Sequence, residues 1–150
     1  VVGSAVDTET YLAGCQKLCA ELGLLDHVVF AGSVSQAELC SYYRLASAYL
    51  CLSEHEGFCV PLLEAMRFDV PVVAYAAAGV PGTMGDAGLL VQEKDFPAIA
   101  ELLHRVVRDP GVRAAVVTGQ RARLRAFDAE AIGARLHEHL ETLASAEALR

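Results

Sequence analysis

Two carboxylates eight positions apart, Glu56 and Glu64, bracket the segment Gly57-Phe58-Cys59-Val60-Pro61. An ionised carboxylate is a strong paired acceptor for vicinal hydroxyls, because charge assistance shortens and strengthens such bonds. Pro61 sits where a helix would take its first residue, since its missing N–H and fixed φ suit that position. The first amides of a helix have no intrahelical partner and lie at the positive end of its dipole, which makes an anion site. Gly57 lets the chain turn sharply just ahead of them. Carboxylates for hydroxyls beside amides for an anion suit a polyhydroxyl compound carrying phosphate. Acidic residues near a helix start also serve simply to cap it, so the pair alone does not separate ligand binding from capping.

The elements that must position this segment are legible on both sides of it. Ala48-Tyr49-Leu50-Cys51-Leu52 is an apolar run that reads as a buried strand, giving strand, tight turn and helix start in succession. Upstream, Val1-Val2 reads as a strand leading into Gly3-Ser4-Ala5, and Asp7 or Thr8 caps a helix with Tyr11, Leu12, Cys15, Leu18, Cys19 and Leu22 at helical spacing. Gly23 closes that helix. Val28-Val29-Phe30-Ala31 is the next strand, and Ser35-Gln36-Ala37-Glu38 has the form of a capping box opening a helix through about Leu45. Downstream, Val70-Pro71-Val72-Val73-Ala74-Tyr75 is a strand, Ala76 to Gly82 a small-residue loop, and Gly88-Leu89-Leu90-Val91 a short last strand. From Phe96 the pattern is helical, with starts at Asp95, Asp109-Pro110 and Asp128. The third of these helices carries Ile132, Leu136, Leu140 and Leu143 on one stripe. Alternation of strands and helices up to residue 91 implies an α/β fold, a Rossmann-like parallel sheet with helices on both faces and a helical C-terminal region.

Composition narrows the function. The 150 residues suit one domain with a real core, 54% are hydrophobic, and only 21% are charged. A formal charge of −7, with Lys17 and Lys94 the sole lysines, argues against a nucleic-acid or anionic-membrane surface. Most arginines lie in the last third and read as a solvated helix surface. Five cysteines at spacings that fit no zinc motif or disulfide framework read as reduced, small core residues. His55 between Glu54 and Glu56 reads as a polar loop residue, and no metal site is expected. No run approaches the roughly 20 apolar residues of a membrane span, and no signal peptide is visible, so the chain is expected to be cytoplasmic. A dinucleotide fingerprint fails for want of glycines between Gly3 and Gly14.

The run from His55 to Met66 resembles the glutamate-x7-glutamate motif of family 4 retaining glycosyltransferases of the GT-B fold. Phe30-Ala31-Gly32-Ser33-Val34-Ser35, Leu39 with Tyr42-Tyr43-Arg44, Val70 to Ala74 and Gly85 to Leu90 occur in the family's order, so the likeness runs from about Gly3 to about Phe127. It implies transfer of a hexosyl group from a nucleotide-sugar, such as a UDP- or GDP-sugar, to an acceptor hydroxyl, without a metal. Glu56 then holds donor-sugar hydroxyls as the catalytic-site acid, Glu64 the ribose hydroxyls, and Gly57, Phe58, Cys59 and Val60 offer amides to sugar and diphosphate. Gly32-Ser33-Val34 resembles the loop that passes the donor's base, although it also reads as a plain strand-to-helix turn. Two positions depart from the family. Gly82 stands where a glutamate is usual, and Cys59 where many relatives have glycine.

The family's phosphate-clamping arginine and lysine, and its acceptor domain, lie upstream of the first strand seen here. Residues 1–150 are therefore expected to be a single donor-binding domain, a fragment lacking the acceptor domain and first strand, inactive alone and inclined to self-associate. A non-catalytic nucleotide-sugar binding domain or a nucleotide-sugar epimerase remain the alternatives. A phosphorylase would need a Schiff-base lysine, and neither lysine lies in a segment of the expected pocket.

Overall fold

The structure, a computed structural model, describes residues 1–3 and 9–147. It divides into two compact units, Val1–Leu45 and Ala46–Arg150, each considered by itself.

In the first unit, α1 spans Glu9–Glu21 and α2 spans Gln36–Leu45. The caps expected at Asp7 or Thr8 lie outside the described residues. α1 ends as its sequence directs: Gly23 takes φ 67°, and the Leu24 and Gly23 amides donate to the carbonyls of Cys19 and Ala20. The Ser35 capping box is reciprocal, with the Ser35 amide 2.7 Å from Glu38 Oε2 and the Glu38 amide 3.3 Å from Ser35 Oγ. The two strands expected here are shorter than their apolar runs. Val2 bridges Gly32 in parallel, with Ala31 N–H donating to Val1 and Gly3 N–H to Gly32. Gly32, at φ 66°, then turns the chain out of the extended conformation, and among the described residues the ladder is a single bridge.

The second unit is α/β. Strands β1 (Tyr49–Cys51), β2 (Val72–Tyr75) and β3 (Leu89–Val91) form a parallel sheet in that order, with Tyr49 opposite Val72 and Val73 opposite Leu89. Successive side chains of β2 point to opposite faces, and Val72, Val73 and Ala74 are all fully buried. Both faces of the central strand are therefore covered, as a parallel sheet requires. Five helices accompany the strands: α3 (Val60–Arg67), α4 (Val80–Met84), α5 (Phe96–Arg108), α6 (Pro110–Leu124) and α7 (Ala129–Glu147), with a 3₁₀ turn at Arg125–Phe127 before α7. Leu62, Ala65 and Met66 of α3, Val80 and Met84 of α4 and Val106 of α5 complete the core. Asp95 caps α5 through the Ala98 amide, and Asp109 caps α6 through those of Gly111 and Val112. The stripe Ile132, Leu136, Leu140, Leu143 on α7 is exposed. No helix among the described residues is long and apolar enough to cross a membrane.

Three expectations change. Pro61 is the second residue of α3, because Cys59 takes the cap. The small-residue loop ends at Gly79, and Val80-Pro81-Gly82 begins α4, with proline again at the helix start. The C-terminal arginines are not merely a solvated surface. Arg113 donates to the carbonyls of Ser47, at 2.6 Å, and Asp69, at 3.3 Å; Arg121 forks onto the Asp69 carboxylate at 2.6 and 2.7 Å; Arg123 donates to the carbonyls of Gly82 and Thr83. Gln120, fully buried on α6, accepts from Val72 N–H at 2.8 Å and donates to Val70 C=O at 2.9 Å. It occupies the edge of β2 just before β3 begins to pair.

Candidate functional site: an acid-flanked helix start at the end of β1

β1 delivers the chain to a turn of residues 52–58, and α3 carries it away. Glu56 lies in that turn and Glu64 in the second turn of α3, both half-buried. Both act electrostatically on the phenol of Tyr49, as do the Cys51 and Cys59 thiols; burial first and these groups next push its pKa up. One half-buried phenol thus senses both carboxylates of the motif. Cys59, the cap of α3, sits in the left-handed region at φ 59° and ψ 62°, and no side chain caps the helix. That conformation costs a residue with a Cβ about 1–2 kcal/mol and costs glycine nothing. The Cys59 side chain turns into the core, where its sulfur lies 3.8 Å from that of Cys51. It does not fill the space outside the turn.

The turn is held from behind by α4 and the residues before it. Gly79 N–H donates to Glu56 C=O at 2.9 Å. A Cβ on Gly79 would stand 1.7 Å from the Gly57 carbonyl oxygen, so only glycine lets these two backbones pass. The buried Thr83 hydroxyl donates to Phe58 C=O. Phe58 meets Phe127 edge to face at 5.5 Å, and the Arg123 guanidinium lies 4.8 Å from the centroid of Phe127. Arg123 closes the circuit at the carbonyl end of α4, where a cation is favoured.

Lys94 is nearer the turn than its sequence neighbourhood suggests. Its ammonium lies 2.6 Å from Glu54 Oε1 and 4.9 Å from the centroid of Tyr75, and the pairing holds the Glu54 carboxyl below the usual range. Neither lysine was expected at this site, because Lys94 follows β3 and only the parallel β1–β2–β3 order brings the ends of β1 and β3 to the same end of the sheet, one on each side of β2. Gly57, Phe58 and Val60 are exposed along the outer face of the turn, while Cys59 is buried. Gly32, Ser33 and Val34 belong to the first unit, where Gly32 ends the parallel bridge and Ser33 is exposed. Gly79, Thr83 and Arg123 are the residues that sequence reasoning missed; the pairing of a helix-starting Val80-Pro81 with a preceding glycine was the one signal available.

A Rossmann-like parallel sheet whose first strand in this unit ends in an acid-flanked helix start defines a class of ligand-binding α/β domains, since such sheets take ligands at their carboxyl ends. Residues 1–125 match Glycosyl transferases group 1, and the chain belongs to that family. It is 37% identical over 113 residues to a D-inositol 3-phosphate glycosyltransferase of Frankia alni, covering 74% of this chain and 28% of that protein. Among solved structures, sucrose-phosphate synthase of Thermosynechococcus elongatus superposes with a TM-score of 0.70 at 31% identity, over 88% of this chain and 34% of that one. Anabaena Alr3699/HepE, solved in complex with UDP and glucose, has the same fold at a TM-score of 0.80 and 22% identity, over 94% of this chain and 39% of that one. The chain therefore spans well under half the length of each of these three proteins.

Proposed function

We propose that this chain is the donor-binding domain of a cytoplasmic, family 4 type, retaining glycosyltransferase that moves a hexosyl group from a UDP- or GDP-sugar to an acceptor hydroxyl held by another domain. The observation that carries the reading is the pair Glu56 and Glu64, half-buried on either side of an uncapped helix start whose turn is braced from behind. Bracing matters because a site that stabilises charge must hold its dipoles in place before the charge appears. In this reading Glu56 accepts from the donor sugar and Glu64 from the ribose. Gly57, Phe58, Cys59 and Val60 form the backbone wall for sugar and diphosphate, and Gly32-Ser33-Val34 passes the base. No metal is assigned to the transfer step. The name of the Frankia relative, a glycosyltransferase, supports the class of reaction and leaves donor and acceptor open.

The test separates binding from capping. Glu64→Gln in the full-length enzyme keeps the shape and loses charge-assisted acceptance, which at about 1.5–3 kcal/mol per bond costs roughly ten- to a hundredfold in nucleoside diphosphate affinity. Glu56→Gln spares that affinity, since the ligand has no sugar, and depresses turnover of the nucleotide-sugar. Unchanged nucleotide affinity in Glu64→Gln, with a clear loss of thermal stability, assigns the residue to capping and overturns the proposal.

A further inference from the structure

Behind the outer face of the turn, Cys51, Cys59 and Glu56 draw together. Each offers one ligand atom, and the three atoms lie within 4.8 Å of one another. No sequence motif announces the group, because the cysteines are eight residues apart and the carboxylate falls between them. The fold brings them together: Cys51 ends β1, Cys59 caps α3, and the turn between reverses the chain. The two sulfurs are 3.8 Å apart. A tetrahedral zinc ion with bonds of about 2.3 Å to two sulfurs holds them roughly 3.8 Å apart, so the sulfur pair already has the spacing such an ion needs. Rigid elements fix two of the three donors, which limits the ordering cost of binding.

We propose that Cys51, Cys59 and Glu56 form a binding site for a thiophilic divalent cation of the zinc class, with a fourth position left open. Two sulfur donors select zinc, cadmium or cobalt over magnesium and calcium, which prefer all-oxygen shells. Occupancy has a consequence that rests on the donor-binding reading: a carboxylate committed to the ion no longer accepts from a sugar, so the ion competes with the sugar part of the donor. A divalent ion takes cysteine as thiolate, so thiol protons leave on binding and affinity rises with pH.

The experiment uses residues 1–150 with Cys15, Cys19 and Cys40 replaced by serine, fully reduced, titrated with Co²⁺ and then with Zn²⁺. The expected result is one equivalent of cobalt with a sulfur-to-metal charge-transfer band, displaced by zinc and unaffected by excess magnesium. Glu56→Gln should weaken binding roughly tenfold or more. The band should vanish in Cys51→Ser and in Cys59→Gly, the latter chosen because glycine suits the backbone there and keeps the fold. Absence of the band in the reduced chain, or its survival in folded Cys59→Gly, overturns the site. In the full-length enzyme, zinc should weaken nucleotide-sugar binding at least tenfold and leave nucleoside diphosphate binding alone. Equal donor affinity with and without bound zinc overturns the competition. No nucleotide-sugar binding even without metal, with the band intact, refutes the donor-binding reading and leaves the metal site standing.

Discussion

Gly79→Ala tests whether the backbone behind the turn sets the site. Gly79 has an ordinary φ of −77°, so alanine is not strained by its own conformation. Space is the difficulty. The new Cβ would lie 1.7 Å from Gly57 O, 2.7 Å from Gly57 C and 3.0 Å from Glu56 O, all of them backbone atoms. Ordinary contact needs a little over 3 Å, so the Gly57 carbonyl must withdraw by roughly 1.5 Å in an interior packed as densely as a crystal. Gly79 cannot retreat instead, because Val80 beside it is fully buried. Overpacking of this kind costs about 1–3 kcal/mol, or roughly 2–12 °C in melting temperature for a chain of this size. A displacement near 1 Å at a reacting centre costs on the order of a hundredfold in rate. Thermal melts of residues 1–150 and turnover of the full-length enzyme measure the two effects. Gly82→Ala is the matched control: it lies in α4, a Cβ there meets nothing within 4 Å, and alanine favours a helix by about 0.5–1 kcal/mol. Gly79→Ala with both the melting point and the turnover of Gly82→Ala would refute the reasoning.

Three further outcomes follow from the geometry. Gln120→Leu strands a buried N–H on Val72 and a buried C=O on Val70, at about 1–3 kcal/mol each; a loss of about 2–6 kcal/mol should appear as a lower urea midpoint. Both substitutions at Cys59 remove the thiol and only glycine relieves the left-handed backbone, so Cys59→Gly should be more stable than Cys59→Ala by about 1 kcal/mol in urea titrations. The Arg121 guanidinium hydrogen-bonded to Asp69 holds its carboxyl below the ordinary value near 4. A depressed folded-state pKa gives stability that is complete above the unfolded pKa and is lost as pH falls through the folded one. The stability gap between the wild type and Asp69→Asn should therefore be flat near neutrality, stay under about 1 kcal/mol for so exposed a pair, and close below about pH 4.

What was legible in the sequence is what short-range physics controls. Ser35 and Glu38, Asp95, Asp109 and Gly23 announce helix ends because a cap involves residues two to five apart. The order strand, turn, helix around Glu56 is likewise local, and so is the stripe on α7. Strand lengths in the first unit were over-read, because apolar runs report burial whereas a ladder needs continued pairing, and Gly32 ends it. The turn's supports were hidden for a different reason. Gly79 and Thr83 lie more than twenty residues from the backbone they hold, and Gln120 about fifty from its partners. A glycine demanded by a neighbouring backbone is indistinguishable in sequence from one demanded by a turn.

α6 and the 3₁₀ turn after it brace the candidate site although none of their residues is assigned to ligand. Arg123 of α6 donates to two carbonyls at the end of α4, and the same short helix presents Thr83 to Phe58. Phe127, in the 3₁₀ turn after α6, then packs its ring on Phe58 and receives Arg123 on its face. These contacts form a closed circuit, Phe58 to Thr83 to Arg123 to Phe127 and back, so a shift at one member is opposed by the others. An aromatic pair and a cation over a ring contribute only about 0.5–1.5 kcal/mol each. Their larger effect is on position: they restrain the one segment whose strained cap, at Cys59, gives it reason to move. A turn under strain keeps its shape only while its surroundings insist on it, and here the insistence comes from residues 79 to 127 rather than from the motif itself.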